Sequence, residues 1–414
     1  MGGRTFESLR IRNYRLFFIG QALSGAGSWM QNVAIGWLTL QLTHSGLLLG
    51  LVTAARYLPL LLFGPWGGLI VDRYPLRQLL AVIQVCAATL SALLAVFTWL
   101  GAIPVWALFA LVLGLGVVDL FDVPARQSIV GALVPPPQLG NAIALNSVMT
   151  NTARALGPGF AGLVIASLGI AACFAVNTLS YVAVLISLAL MRRGELYPTP
   201  RETGTKGQVR AGLEYVCGRP WLRVPLTMVA ITGTLTWVYP VTLPLLTSET
   251  FHGDASAYGY ATSALGIGSI VGGFIAARWP VRSPRGLAGS ALLWGLAGLA
   301  LAVSPNLWSV YAAMVVVGLF AITFNAGAKT VLQTGSAIQM RGRVMALWFI
   351  GWQGSTVLGG PLVGAVGTGL GPRWSLVLGG AAACLAGAAY VRRAPAEVPA
   401  PDPVPLASAE SAAD

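Results

Sequence analysis

Long apolar runs broken by glycine- and proline-rich turns dominate this chain. They occupy residues 16–40, 47–67, 79–100, 105–123, 142–168, 171–190, 224–246, 257–277, 287–303, 307–325, 344–366 and 375–391. An α-helix needs about 20 such residues to cross the hydrocarbon core of a bilayer. With no water there to satisfy backbone groups, helices are the economical way to cross it. The pattern therefore predicts an all-α membrane protein of twelve transmembrane helices.

Composition agrees with that reading. Of 414 residues, 56% are hydrophobic and only 9% charged, whereas a soluble domain carries roughly a quarter charged residues. The net charge of +12 raises the question of a nucleic-acid partner, which the placement of the bases answers in the negative. An even number of spans puts both termini on one side, and nearly all Arg and Lys outside the spans fall there, from Arg4 to Arg393. The opposite side holds only Arg373. The positive-inside rule then makes both termini cytoplasmic. Cys86, Cys173, Cys217 and Cys384 form no paired motif, and His44 and His252 stand alone, so no metal site is expected. No phosphate-binding GxxxxGK[ST] loop is present, which leaves no sign of direct ATP use and no cofactor to expect. The first apolar run is too long for a signal-peptide core and is expected to remain as a span.

The chain divides at a polar stretch. Residues 192–222 form a linker in which Val209, Leu213 and Val216 recur at helical spacing, with Arg210 and Glu214 on another face; this predicts a short amphipathic helix on the membrane surface. Residues 394–414 are rich in Pro, Ala and Ser and are expected to be a disordered tail. The segments 1–191 and 223–393 resemble each other. Gly140-Asn141-Ala142-Ile143-Ala144-Leu145 matches Gly342-Arg343-Val344-Met345-Ala346-Leu347, and Phe121 to Arg126 matches Phe324 to Lys329. Gly64 and Gly68 are echoed by Gly268 and Gly272. A repeat at near-constant offset implies a six-plus-six duplication. Two pseudo-symmetric six-helix bundles are the architecture of a rocking secondary transporter, with its substrate site between the halves.

The loop after the second span, with Gly68, Asp72, Arg73 and Arg77, resembles the signature of the major facilitator superfamily. The Phe121 to Gln127 run, the Asn151 to Pro158 run and Arg341 to Met345 are similar to the bacterial drug:proton antiporter-3 group, which includes macrolide and enterobactin-type siderophore exporters. Pro75 and Leu76 depart from the signature, and the second-half copy, Gly273 to Arg278, lacks the acid. The resemblance implies a major facilitator fold in the bacterial cytoplasmic membrane, exporting amphipathic drugs or secondary metabolites by proton antiport. Siderophore export is the alternative, with nutrient import, lipid flipping or a non-transporting scaffold behind it. Its partners are then a small-molecule substrate, protons and the lipid bilayer, and the chain is expected to act as a monomer and not as an enzyme.

Several residues stand out against this background. The resemblance implies a gating latch made by Gly68, Asp72, Arg73 and Arg77 with Asp122, Arg341 and Arg343 as partners. Asp119, placed about one turn before the end of the fourth span, is the candidate proton carrier; a structural role beside the latch is the competing reading. Arg56 and Arg154 lie inside spans, where an unshielded cation is expensive. Arg56 could meet an anionic substrate or a helix carbonyl. Arg154, just before Gly157 and Pro158, is expected to serve helix packing with them. Trp29, Asn32 and Trp237 complete the substrate-binding candidates.

Overall fold

The computed structural model describes residues 6–71, 73–195, 197 and 208–391, and its regular structure is helical throughout. The first half contains α1 (Arg12–Thr43), α2 (Gly46–Val71), α3 (Leu76–Trp99), α4 (Val105–Leu133), α5 (Leu139–Leu168) and α6 (Ile170–Leu190). A short helix α7 (Gln208–Cys217) precedes the second half, which holds α8 (Pro220–Leu235), α9 (Tyr239–Leu245), α10 (Ala255–Arg278), α11 (Pro284–Ala302), α12 (Leu307–Thr334), α13 (Arg341–Phe349), α14 (Thr356–Leu370) and α15 (Pro372–Val391). The pair α8 and α9 runs on into a π-helical turn at Leu246–Thr250, and a second such turn, Ile350–Gly354, joins α13 to α14. Counted as continuous rods, these give six in each half. Among the described residues, nine are long and apolar enough to cross a membrane. The remainder are the rods built on α1 and α5, which are more polar, and on α13–α14, which is interrupted at Ser355 and whose pieces are short.

Within the first half, α1 packs on α5 and α6, α2 on α4, and α3 on α6; the second half repeats the scheme with α10 on α12 and α11 on α15. The halves meet along two strips, α2 against α14 and α5 against α10. Both strips depend on glycine. A Cβ at Gly50 would lie 2.1 Å from Gly360 O, and one at Gly259 would lie 2.4 Å from Pro158 O, so the backbones touch directly, as small residues permit in membranes. These contacts gather at the end of the bundle that carries His44 and His252, where Gly46 N also donates to Thr368 Oγ1 at 2.8 Å. Toward the other end, where α1 begins and α15 finishes, a Cβ at Gly273 would meet nothing within 4 Å and one at Gly64 only its own Leu60. The far end is closed between the halves, and the terminal end is spread apart.

Two helices, α4 and α12, run well past the predicted spans, both at the terminal end. α4 continues beyond residue 123 to Leu133, with Pro124 inside it and Ala125, Ile129, Val130 and Leu133 buried. Proline removes the hydrogen bond to the carbonyl four residues earlier. That carbonyl, on Leu120, faces α2 so closely that a Cβ on Gly67 would approach it to 2.7 Å. Burial of one face compensates a break that local sequence rules read as a stop. Likewise α12 reaches Thr334, beyond the predicted residue 325. The linker helix forms as α7 and docks on the second half: Tyr215 Oη accepts from Ala337 N at 3.0 Å, Val216 is buried, and Leu213 stays exposed.

Candidate functional site

Extending α4 moves Asp119 from the predicted helix end to mid-helix, level with Arg56 on α2. Gly116 makes the approach possible, since a Cβ there would lie 2.2 Å from Arg56 O. The Arg56 Nε donates to Asp119 Oδ2 at 2.9 Å, with the side chains 14% and 33% exposed. Asn32 of α1 accepts a second bond from the same guanidinium through its Oδ1. The partner of Arg56 is thus a carboxylate from its own half, in place of the helix carbonyl considered from the sequence. Tyr57 of α2 lies within electrostatic reach of Arg56, Asp119 and Arg154, and Tyr181 of α6 within reach of Arg56 and Asp119. Three helices thus hold one charge pair at the centre of the first half, with further polar groups around it.

One turn toward the terminal end, Asp122 is buried, pairs with Arg126 at i+4 and accepts from Gln84 Nε2 at 3.0 Å. Arg126 in turn donates to Gln21 Oε1 at 3.1 Å. Arg77 does not reach Asp122. Its Nε donates to Leu188 O at 2.6 Å and its Nη2 to Ala189 O at 3.1 Å, the carbonyls that the end of α6 leaves without helical partners. Arg341 Nε donates to Ser336 O at 3.4 Å, and Arg343 Nη1 lies 3.4 Å from the Met340 sulfur. Arg73 is exposed, Gly68 lies within α2, and Asp72 falls outside the described residues. Among the described residues the proposed latch is not assembled: Arg77, Arg341 and Arg343 are each held by their own half.

Arg154 projects from α5 with its guanidinium 5.5 Å from the centre of the Trp29 ring, while Gly157 lets α5 approach α1 at Trp29 and Pro158 packs on α10. Trp237 lies away from this group, in an aromatic cluster of the second half with ring centroids 5.0 Å from Trp352 and 5.7 Å from Tyr239. Trp294, fully buried, donates to Tyr239 Oη at 3.0 Å there.

Sequence reading missed Lys329. Counted with the surface bases, it instead lies inside α12, with its ammonium 4.2 Å from the centre of the Trp348 ring. The repeat carried the signal, because Lys329 matches Arg126 and Asn325 matches Asp122. At the closed end, a cavity of about 320 Å³ is lined by residues that include Trp37, His44, Glu249 and His252. Among the described residues, no cluster of His, Cys, Asp and Glu could hold a metal ion.

Known proteins share this organisation. Residues 4–411 match the family described as transmembrane secretion effector. The chain is 25% identical over 343 residues to the staphyloferrin A transporter of Staphylococcus aureus, covering 80% of this chain and 84% of that one. It is 26% identical over 375 residues to the multidrug efflux pump Tap of Mycobacterium tuberculosis, covering 85% and 87%. Among solved structures, a bacterial homologue of the human lysosomal transporter Spinster, in an inward-facing and unoccupied conformation, is similar with a TM-score of 0.71 at 14% identity, covering 93% of this chain and 99% of that one. A nucleoside transporter superposes equally well, at a TM-score of 0.71 and 14% identity over 93% and 98% of the two chains. A polytopic helical chain of two similar halves, with a charge pair between helices at its centre and matched over nearly its whole length, is a membrane transporter and not an enzyme: it belongs to the transmembrane secretion effector family of the major facilitator superfamily.

Proposed function

We propose that this transporter exports an amphipathic small organic molecule, a drug or secondary metabolite, in exchange for protons across the bacterial cytoplasmic membrane. In this reading all twelve rods cross the bilayer with both termini cytoplasmic, and the monomer is the working unit. Residues 1–191 and 223–393 rock against each other about the glycine strips and 192–222 tether them; the expected tail, 394–414, lies outside the described residues. The family and the efflux proteins similar to the chain support export.

The observation that carries proton coupling is the Arg56–Asp119 pair. An ionisable pair inside a membrane bundle is expensive to keep, and function is the usual reason for it. A proton taken up by Asp119 removes the charge that holds Arg56, leaving the guanidinium to Asn32 alone. Proton binding thereby rearranges the centre of the bundle, with Trp29 and Asn32 at its edge and Trp237 in the facing half. In the opposite state the spread end closes, and Gly68, Asp72 and Arg73 with Arg77 meet Asp122, Arg341 and Arg343 as a latch. Siderophore export is the second reading, favoured by the similarity to the staphyloferrin A transporter.

Flux in proteoliposomes under an imposed pH gradient tests this. Cationic drugs, macrolides and catecholate siderophores are presented to wild type and to Asp119→Asn. Gradient-driven flux in wild type, lost in the variant while substrate binding persists, is the expected result. Equal gradient-driven flux in both proteins would refute Asp119 as the proton carrier.

A further inference from the structure

The two acids in the helical interior of the first half, Asp119 and Asp122, are both spent on arginines of that half. Two cations are left over. Arg154 on α5 and Lys329 on α12 belong to opposite halves, lie close enough to repel each other electrostatically, and have no ion-pair partner among the described residues. The repeat explains the imbalance, since the position that gives Arg126 its Asp122 gives Lys329 only Asn325.

Each cation lies over an indole, Trp29 at 5.5 Å and Trp348 at 4.2 Å. An aromatic face shields a cation without neutralising it. The same region also holds hydrogen-bond donors that are left without a partner. Arg154 Nε is buried with no partner, and so is the Nε1 of Trp348, a residue only 8% exposed. Buried donors left unmet cost free energy comparable to a lost hydrogen bond. A ligand that offers oxygen acceptors and negative charge answers both deficits at once. A cationic ligand answers neither and adds a third like charge.

We propose that Arg154 and Lys329, framed by Trp29 and Trp348, clamp the anionic group of the transported molecule between the two halves, so that the substrate is an amphipathic acid with an aromatic or aliphatic body. This rests on the export reading, and it departs from the helix-packing role that the sequence assigns to Arg154. The required chemistry is a carboxylate or phosphate-type anion, which an exported solute or a lipid headgroup could supply.

A matched series of probes tests it: pyrenebutyrate, its neutral amide and pyrenebutylamine share one apolar body and differ in charge. Binding is followed by pyrene anisotropy to the full-length protein in phosphatidylcholine nanodiscs, and again with phosphatidylglycerol added. The carboxylate is expected to bind about tenfold or more tighter than the amide, as charged hydrogen bonds allow, and the amine weakest. Arg154→Gln and Lys329→Gln should each erase that preference by weakening carboxylate binding far more than amide binding. Arg154→Lys and Lys329→Arg should keep it, which separates charge from folding. Amine binding equal to or tighter than carboxylate binding, or an unaltered preference in both Gln variants, would overturn the clamp. Loss of pyrenebutyrate binding on adding phosphatidylglycerol would assign the site to a lipid headgroup and overturn the substrate assignment. Absence of anion preference alongside gradient-driven flux sinks the clamp and spares export; anion preference without flux in proteoliposomes does the reverse.

Discussion

Replacing Gly50 with alanine is the sharpest mechanical test of the closed end. The added methyl would sit 2.1 Å from Gly360 O, 2.4 Å from its carbonyl carbon and 2.7 Å from Pro361 N. Carbon contacts are comfortable only from about 3.5 Å, so α2 and α14 must separate by roughly an ångström. All three atoms are backbone, and none can swing aside. Overpacking of this kind costs about 1–3 kcal/mol, and it falls only on the state in which this end is shut. If the halves rock, that penalty shifts the equilibrium about 5- to 150-fold toward the state with the far end parted. Spin labels on Leu42→Cys and Gly369→Cys, in a background with Cys86, Cys173, Cys217 and Cys384 replaced, report the distance across the seam by double electron–electron resonance. A longer-distance population should appear or grow in Gly50→Ala. Gly273→Ala, whose methyl meets nothing within 4 Å, should leave the distribution unchanged. A well-folded Gly50→Ala with the wild-type distribution would refute the argument.

Gly116→Ala places a methyl 2.2 Å from Arg56 O and should push α4, with Asp119, away from α2. We expect a thermal destabilisation equivalent to about 1–3 kcal/mol and loss of gradient-driven flux while membrane insertion is retained, measured by scanning fluorimetry and the proteoliposome assay. Asp254 caps α10 by accepting from Ser256 N at 3.0 Å and Ala257 N at 3.1 Å. Asp254→Ala should therefore cost about 1 kcal/mol, the usual worth of a cap, read as a drop in melting temperature. The Ser256 hydroxyl, followed by these backbone N–H groups, holds the Asp254 carboxyl below its ordinary value of 3.8. A depressed folded-state value means that the contribution is complete above the ordinary value and is lost as pH falls through the folded one. The difference in melting temperature between wild type and Asp254→Ala should thus be constant near neutrality and shrink only in acid below about pH 4.

The helices and their order were legible because bilayer thickness forces long apolar runs, and the duplication was legible because it left matched glycines and charges. Helix ends at the terminal side were less so. Pro124 reads as a stop by local rules, yet α4 continues, because the buried face of Ala125, Ile129 and Leu133 outweighs one missing hydrogen bond. That error concealed the meeting of Asp119 with Arg56: the pairing spans two helices, and its register depends on Gly116, a glycine that no motif singles out. Lys329 was hidden for a related reason. A base near a predicted helix end counts as a topology signal, and only the true length of α12 moves it inward. The latch residues were recognisable by pattern, but pattern carries no information about which end of a two-state bundle is shut.

The closed end has one further consequence. Backbone rests on backbone along both strips, a single side-chain hydrogen bond from Gly46 to Thr368 has been identified across the seam, and no ion pair crosses this end among the described residues. Dispersion between apposed backbones is not screened by salt. The joint behaves as a dry bearing: apart from the attraction between His44 and Glu249 across it, its tightness should respond little to ionic strength on the far side of the membrane, and sliding of one half over the other breaks few directional bonds along the way.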